Sequence, residues 1–284
     1  MTEKELIRSL IRLALTEDIG DGDHTTLCSI PETEQGKSKL LIKEKGVLAG
    51  VDVAINVFHT FDPELQAEVF LGDGSRVEPG DVAFIVSGKV RSILQTERLV
   101  LNIMQRMSGI ATLTDNYMKL LEGTPAKVLD TRKTTPGMRM LEKQAVRIGG
   151  GENHRTGLFD MILLKDNHVD FAGGIENAIR GAQNYLKEKN KKLKIEIEVR
   201  NLDELQKALH VGGVDRIMLD NFTPAQTLEA VKTVKAVNDR VELESSGGIT
   251  VDTIREYAET GVDYISVGAL THSVKSLDMS LKAI

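Results

Sequence analysis

The chain has 284 residues, with 36 Lys and Arg against 42 Asp and Glu, and its formal net charge is −6. This acidic balance argues against a nucleic-acid-binding protein, and the single cysteine excludes an internal disulfide or a cysteine-based zinc site. No apolar run reaches the roughly 18 residues that a membrane span requires, and the N-terminal segment lacks the pattern of a signal peptide. We therefore expect a cytoplasmic protein whose partners include neither a membrane nor a nucleic acid.

The first third of the chain predicts a mixture of helices and strands. Apolar spacing and turn-forming residues place them, in chain order, as helix 3–15, strand 37–45, helix 49–61, strands 66–71 and 82–86, and helix 92–121. Gly109 is expected to interrupt or kink the last of these helices.

From about residue 125, short apolar runs alternate with helical segments. The predicted strands are 127–129, 161–164, 195–199, 216–219, 241–243 and 264–267. The predicted helices are 138–148, 174–188, 202–211, 224–237, 250–260 and 274–282. Such alternation predicts βαβ units around a parallel sheet. Because a complete barrel of this kind has eight strands, the pattern favours an irregular, incomplete α/β barrel, with an open Rossmann-like sheet as the rival.

Charge is distributed unevenly along the chain. The segment from Arg91 to Lys165 contains 12 Lys and Arg and 7 Asp and Glu, a net charge of +5, whereas the remainder carries −11. A solvated helix surface and an anion-binding site both explain such a segment, so the charge count alone leaves the two readings equal.

Charged or small residues follow the predicted strands of the second region. They are Asp130–Lys133, Lys165–His168, Asp220–Asn221, Glu244–Gly248 and Gly268–Ala269, and the strand 195–199 itself contains Glu196 and Glu198. The carboxyl ends of parallel strands carry the active site in α/β proteins. The cationic members, which suit carboxylates and phosphates, are Arg132, Lys133, His154, Arg155 and Lys165.

Two acids and two small loops complete the candidate site. Glu198 and Asp220 lie on later strands, and a pair of acids near bound phosphates is typical of Mg²⁺. The loops Ser246–Gly248 and Val267–Ala269 can present backbone N–H groups to a phosphate. Together with the cations, these features predict a phosphorylated sugar that carries a pyrophosphate, and a carboxylated second substrate.

Several segments carry a resemblance to a known family. They are EDIGDGDHTT (17–26), ERLVLNIMQRMSGIAT (97–112), DTRKTTPGMRMLEKQAVRIGGGENHRTGLFDMILLKDNHV (130–169), EIEVRNLDEL (196–205), MLDNF (218–222), ESSGGI (244–249) and YISVGALTHS (264–273). With these segments the chain resembles the quinolinate phosphoribosyltransferases, also called carboxylating nicotinate-nucleotide pyrophosphorylases, over nearly its whole length.

The resemblance implies a fold and a reaction. The fold would be an N-terminal α/β sandwich domain over residues 1–110, joined by a C-terminal helix at about 272–284, and an irregular α/β barrel over 111–271. The reaction would transfer phosphoribosyl from 5-phosphoribosyl-1-pyrophosphate to quinolinate with decarboxylation, giving nicotinate mononucleotide, pyrophosphate and CO2 with Mg²⁺, in NAD biosynthesis. The assembly would be a homodimer or higher oligomer.

The resemblance also implies roles for individual residues. The quinolinate pocket would be lined by Arg132, His154, Arg155 and Lys165, with Thr131 beside them and Arg98 donated by the neighbouring subunit. Lys133 and Lys165 would lie near the pyrophosphate and the reacting centre. Glu198 and Asp220 would hold Mg²⁺, mostly through substrate and water, and contact the ribose hydroxyls. The 5-phosphate would lie on the backbone of Ser246, Gly247, Gly248, Val267, Gly268 and Ala269.

Other readings remain open from the sequence. A homologous enzyme of the branch associated with molybdenum transport would use the same sugar phosphate with a different acceptor. A non-catalytic phosphate-binding protein and a barrel aldolase with Lys165 as Schiff base are further alternatives. For His168 and Arg139, a structural role and a ligand contact are both open.

Overall fold

The computed structural model describes residues 2–284, which form two compact units. Unit 1 consists of the chain up to Asp115 together with Thr134–Gly150 and Ala269–Ile284; unit 2 consists of Asn116–Lys133 and Gly151–Gly268. Within residues 2–284, no helix is both long enough and apolar enough to cross a bilayer.

The helices and strands follow one another along the chain. In order they are α1 (Glu3–Ile19), α2 (His24–Ser29), β1 (Gln35–Ile42), β2 (Gly46–Val47), α3 (Val51–Phe61), β3 (Gln66–Val69), β4 (Arg76–Val77), β5 (Val82–Lys89), α4 (Val90–Leu120), β6 (Lys127–Leu129), α5 (Arg139–Ile148), β7 (Ile162–Leu164), α6 (Asp166–Phe171), α7 (Ile175–Glu188), β8 (Ile195–Val199), α8 (Leu202–Val211), β9 (Arg216–Asp220), α9 (Pro224–Val237), β10 (Glu242–Ser246), α10 (Ile254–Ala258), β11 (Tyr264–Ser266), α11 (Ala269–His272) and β12 (Met279–Ala283).

Unit 1 is built on an antiparallel sheet with the strand order β12-β1-β5-β3. The predicted C-terminal helix is wrong, because residues 279–283 form strand β12, with Leu281 paired to Leu40 of β1. Met279 and Leu281 are buried while Ser280 and Lys282 are more exposed, and this period of two suits a strand. Apolar residues at alternate positions explain why a helical reading of this segment fails.

Helix α4 runs through Gly109 without interruption, contrary to the predicted break. A Cβ atom at this position would lie 2.2 Å from the carbonyl oxygen of Lys275, so the glycine permits a close approach of the segment before β12. Helix α5 also lies in unit 1, although the sequence placed it with the barrel. Its carboxylate Glu142 is buried and accepts a hydrogen bond from Nε of Arg106 on α4 at 2.7 Å.

Unit 2 contains a six-stranded parallel sheet with the order β6-β11-β10-β9-β8-β7. From β7 to β11 the strands follow in chain order, and β6 lies beside β11. This progression lacks the reversal of strand order that defines an open doubly wound sheet, and it is the order of a barrel. The prediction of an α/β protein with an irregular, incomplete barrel is thus confirmed, and the Rossmann-like rival is not.

Candidate active site

The carboxyl ends of neighbouring parallel strands place the predicted residues of unit 2 along one edge of the sheet. Asp130 directly follows β6, Asp220 ends β9 and Ser246 ends β10, and Ser246 is paired with Asp220. Glu198 lies one position before the end of β8. Because all six strands run in the same direction, residues that are distant in the chain meet at this edge.

Arg132 and Arg155 are both partly buried, and they lie near enough for the charge of Arg132 to act on Arg155. Burial, and next the positive charge of Arg132, lower the pKa of Arg155. Arg155 is half-buried, and its Nη1 donates to the carbonyl oxygen of Met161 at 3.4 Å. Two like charges held close together in a partly dry setting suit a bound anion that carries more than one negative charge.

Asp130 lies two residues before Arg132, and it binds the residues that precede Arg155. Its buried carboxylate accepts the backbone N–H of His154 at 2.9 Å and a short hydrogen bond from the Asn153 amide. Backbone bonds between Glu152 and β6 extend the sheet at this point. The segment 152–155 is therefore hydrogen-bonded to β6 and to Asp130, which stand just before Arg132 in the chain.

His154 is buried, and both of its ring nitrogens have contacts inside unit 2. Nδ1 accepts the backbone N–H of Arg155 at 2.7 Å, and Nε2 lies 3.0 Å from Glu196 and 3.4 Å from Glu244. Burial lowers the pKa of this imidazole, but the two carboxylates raise it by more. The lining of the quinolinate pocket by His154 stays a prediction.

A buried charged layer beneath the strand ends was not singled out from the sequence. Glu196 and Glu244 are 0 % exposed, and Arg216 donates to Glu244 at 3.1 Å and to Glu242 at 3.0 Å. The guanidinium of Arg216 also lies 4.1 Å from the ring centroid of Tyr264. Charged residues within β8 and β10 are the sequence feature that could indicate this layer. Parallel strands buried on both sides normally consist of continuous apolar runs, and these two strands do not.

Glu198 and Asp220 form an acid pair at the sheet edge. Burial, and then the negative charge of Asp220, raise the pKa of Glu198, while the positive charge of Lys165 opposes this rise. Lys165 itself is exposed at the start of α6, and its backbone N–H donates to Nδ1 of His168 at 3.0 Å. This contact gives His168 a structural role at the beginning of that helix.

The loop after β10 approaches the loop after β9 closely. Gly247 has a φ of +98°, and a Cβ atom there would lie 2.2 Å from Oδ1 of Asn221. The Asn221 side chain donates to Asp220 at 2.7 Å, and its backbone N–H donates to Ser246 at 2.8 Å. Glycine at 247 is thus required both by backbone conformation and by the position of the asparagine that orients Asp220.

The remaining predicted residues are distributed over both units. Lys133 is exposed, and its backbone N–H donates to Oγ1 of Thr131 at 3.0 Å. The backbone N–H of Val267 donates to Leu129 of β6 at 2.9 Å, so the segment that continues into Gly268 is tied to the sheet. In unit 1, Ala269 begins α11, Arg98 is exposed on α4, and Nε of Arg139 donates to Thr134 at 3.0 Å.

Two family models together match nearly the whole chain. The model of the quinolinate phosphoribosyl transferase N-terminal domain matches residues 23–108, and that of the C-terminal domain matches residues 110–282. The chain belongs to the quinolinate phosphoribosyltransferase family. The residues that line the sheet edge of unit 2 fall within the C-terminal domain of this family.

Members of the quinolinate phosphoribosyltransferase family match the chain over almost its whole length. The chloroplastic carboxylating nicotinate-nucleotide pyrophosphorylase of Arabidopsis thaliana is 45 % identical, covering 97 % of this chain and 82 % of the plant protein. The probable carboxylating nicotinate-nucleotide pyrophosphorylase of Bacillus subtilis is 40 % identical, covering 97 % and 92 %. The solved structure of NadC from Streptococcus pyogenes superposes with a TM-score of 0.91 at 40 % identity, covering 100 % and 99 %.

Proposed function

We propose that this protein transfers phosphoribosyl from 5-phosphoribosyl-1-pyrophosphate to quinolinate and decarboxylates the product, giving nicotinate mononucleotide, pyrophosphate and CO2. The observation that carries the proposal is the pair of guanidiniums, Arg132 and Arg155; burial, and then the charge of Arg132, lower the pKa of Arg155. Quinolinate is a planar dicarboxylate, and a guanidinium binds a carboxylate through two parallel N–H donors.

The cations of the site divide between the two substrates. Arg132 and Arg155 hold the quinolinate carboxylates in a pocket also lined by Thr131, His154 and Lys165. Lys133 and Lys165 face the pyrophosphate and the reacting carbon. Exposure of both lysines suits a role as mobile point charges that follow a departing anion. The backbone of Ser246–Gly248 and Val267–Ala269 holds the 5-phosphate.

The acid pair fits Mg²⁺. Glu198 and Asp220 lie close enough for the charge of one to raise the pKa of the other, and this repulsion is relieved by a cation. Oxygen ligands from one or two carboxylates, with the rest from phosphate and water, are what Mg²⁺ prefers. When bound, Mg²⁺ supplies positive charge to the pyrophosphate oxygens. Glu198 and Asp220 also bind the ribose hydroxyls in this proposal.

The protein's chemical work is positioning and electrostatic stabilisation. The bond between ribose C1 and pyrophosphate breaks, Lys133 and Lys165 stabilise the departing negative charge, and the quinolinate nitrogen bonds to C1. The ring is then a cationic pyridinium, and its positive nitrogen stabilises the electron pair that stays on C2 when the carboxylate leaves as CO2. A proton from solvent then bonds to C2. No covalent intermediate with the protein is required.

The acceptor separates this proposal from the enzyme branch associated with molybdenum transport. The names of the relatives specify quinolinate or carboxylating activity, which favours quinolinate as the acceptor. The test is a panel of aromatic acids, with one and with two carboxylates, each assayed with 5-phosphoribosyl-1-pyrophosphate. Quinolinate is expected to be the preferred acceptor by at least about 100-fold in kcat/KM, since removal of one gripped carboxylate leaves a guanidinium unpaired. Equal or better turnover of another acid would refute the assignment.

A homodimer or higher assembly in the cytoplasm completes the proposal. Arg98 is exposed on α4, and no hydrogen bond or ion pair to it is found within residues 2–284, which supports donation of its guanidinium to the pocket of a partner subunit. The cytoplasmic compartment is supported by the single, exposed cysteine, Cys28, which needs no oxidising environment.

A further inference from the structure

We propose that Glu196 and Glu244 act through His154 to position Arg155, and that His154 serves the reaction as this link rather than by a ring nitrogen on the substrate. In these terms Glu196, Glu244 and His154 are positioning residues. The inference rests on the proposed function in one respect, because Arg155 is there assigned to a quinolinate carboxylate.

The imidazole of His154 has no ring nitrogen left for a ligand. Nδ1 accepts the backbone N–H of Arg155 at 2.7 Å, and Nε2 lies between the carboxylates of Glu196 and Glu244, at 3.0 and 3.4 Å. The carboxylates favour a second ring proton, but the Arg155 N–H already occupies the Nδ1 side. That contact leaves Nδ1 without a proton, so we place the ring proton on Nε2, which lies within ion-pair distance of both carboxylates.

The carboxylates below the imidazole are fixed by their burial and by Arg216. Glu196 and Glu244 are on the adjacent parts of β8 and β10 and are fully buried, and Arg216 on the intervening strand β9 donates to Glu244 at 3.1 Å. Arg216 is itself held by Glu242 and by the face of Tyr264. Side chains held by neighbouring strands of a sheet move less than side chains of a loop, so the carboxylates beside His154 have fixed positions.

The same segment is held from its other side by Asp130. The Asp130 carboxylate accepts the backbone N–H of His154 at 2.9 Å and the side-chain amide of Asn153. Residues 153–155 are thus fixed by a buried acid at the end of β6 and by two buried acids on β8 and β10. Arg155 directly follows His154, to which these restraints apply, although it lies outside the regular strands.

Arg155 needs such restraint because a second guanidinium repels it. Burial, and then the charge of Arg132, lower the pKa of Arg155, whereas the negative charge of Glu196 acts in the opposite direction. Glu196 therefore offsets the repulsion and, through His154, fixes the backbone from which the Arg155 side chain extends. Without this support the guanidinium would move away from Arg132 before substrate arrives.

A bound metal is the main competing use of this cluster. Ligand atoms of His154, Glu196 and Glu244 lie within 4.8 Å of one another, a spacing that a divalent cation could use. Arg216 already supplies positive charge to Glu244, and the ring proton supplies a donor on the opposite side. Positive charge and a proton in these places favour a set of ion pairs over a metal ion.

A double-mutant cycle between Glu196→Gln and Arg155→Ala tests the inference. Glu196→Gln alone is expected to lower kcat/KM for quinolinate by about 10- to 100-fold, mainly through KM, because a misplaced binding group loses this much. The KM for 5-phosphoribosyl-1-pyrophosphate should stay within about twofold. In the Arg155→Ala background, Glu196→Gln should cost no more than about twofold, since independent changes add and coupled ones do not.

A glutamate outside this cluster provides the control for the cycle. Glu176→Gln is the control, because Glu176 is a unit 2 glutamate that also pairs with an arginine, Arg180, but lies exposed on α7 outside this cluster; it should change both KM values by less than about twofold. Full additivity of Glu196→Gln and Arg155→Ala, or equal increases in both KM values, would overturn the inference. Should Glu196→Gln not fold, Glu244→Gln replaces it in the same cycle.

A measurement without substrate separates this inference from the proposed function. Long-range ¹H–¹⁵N spectra of the full-length chain, with the His154 signals assigned by their loss in His154→Gln, should show an unprotonated Nδ1 and a protonated Nε2 at neutral pH. A ring with a proton on Nδ1, or a tightly bound metal ion found by mass spectrometry of the purified protein, would overturn the inference. Absence of quinolinate turnover by the wild type would instead refute the proposed function.

Discussion

At the scale of single residues, Arg155 combines a fork of N–H donors with partial burial and a second guanidinium nearby. The partial burial and the like charge would each be unfavourable for a structural arginine, since neither stabilises a guanidinium. All of them favour a multiply charged anion, because the anion replaces lost hydration and cancels the repulsion.

Arg155→Ala should therefore reduce kcat/KM for quinolinate severely. Loss of a guanidinium that grips a carboxylate in a partly dry pocket costs about 2–5 kcal/mol of transition-state stabilisation. Steady-state kinetics of the purified variant measure the loss directly. Arg180→Ala provides the control, because Arg180 is an exposed arginine paired with Glu176 at 2.9 Å on α7; its activity should equal that of the wild type. A loss below about tenfold in Arg155→Ala would mean that the residue is wrongly assigned.

The charged residues at the sheet edge could be predicted from sequence, and those in the barrel interior could not. Arg132, Lys165 and Asp220 stand directly before or after apolar runs, and strand direction alone brings them to one edge. Glu196 and Glu244 also lie in those runs, but their meeting at His154 depends on sheet order and register. Such contacts between distant parts of the chain are not specified by local spacing.

At the scale of helices and strands, glycines decide how closely segments pack. Gly109 in α4 leaves no room for a Cβ atom, which would lie 2.2 Å from the backbone oxygen of Lys275. Gly181 in α7 has nothing within 4 Å of the same hypothetical atom. Both lie inside helices, so their intrinsic cost to the helix is similar and only the surroundings differ.

Alanine at these two positions should therefore have opposite effects. Gly109→Ala should lower the free energy of unfolding by about 1–3 kcal/mol, because the backbone near Lys275 must move. Gly181→Ala should raise it by about 0.4–1 kcal/mol, because alanine reduces the entropy of the unfolded chain. Urea unfolding of both variants beside the wild type measures the difference. Stabilisation by Gly109→Ala would show that the contact with Lys275 does not constrain α4.

The sequence predicted elements with strong periodicity better than those that depend on a partner. Helix α8 and strand β8 were predicted with the bounds that the structure shows, since apolar spacing defines both and the capping residues Asn201 and Gly212 flank the helix. The terminal segment was read as a helix because its pairing partner, β1, lies about 240 residues away in the chain. The alternation of Met279 and Leu281 is too short to define a strand by itself, so the pairing with β1 decides the conformation of this segment.

At the scale of the whole molecule, an acidic chain carries a basic segment from Arg91 to Lys165. The cations assigned to substrate, among them Arg98, Arg132 and Arg155, all lie in this segment. Arg106 and Lys127 of the same segment are structural instead, paired with Glu142 and Glu152 respectively. The net positive charge therefore combines substrate-binding residues with ion pairs inside each unit.

Mixed dimers test whether Arg98 acts on the partner subunit. Arg98→Ala and Lys165→Ala should each abolish most activity alone, yet an equal mixture that exchanges subunits should regain about a quarter of the wild-type rate. The reason is that half of the dimers would be hybrids, each with one intact site. Native mass spectrometry verifies that hybrids form. Hybrids without activity would refute a shared site and leave the other assignments in place.

The most direct test of the proposed function is turnover of quinolinate by the purified protein, with and without Mg²⁺. With 5-phosphoribosyl-1-pyrophosphate and Mg²⁺, nicotinate mononucleotide, pyrophosphate and CO2 should appear in equal amounts. Chelation of Mg²⁺ should reduce the rate by at least about 100-fold, because the metal contributes several kcal/mol to stabilisation of the leaving group. Failure of the folded protein to form nicotinate mononucleotide, or an undiminished rate without Mg²⁺, would contradict the assignment of substrates or of the acid pair, respectively.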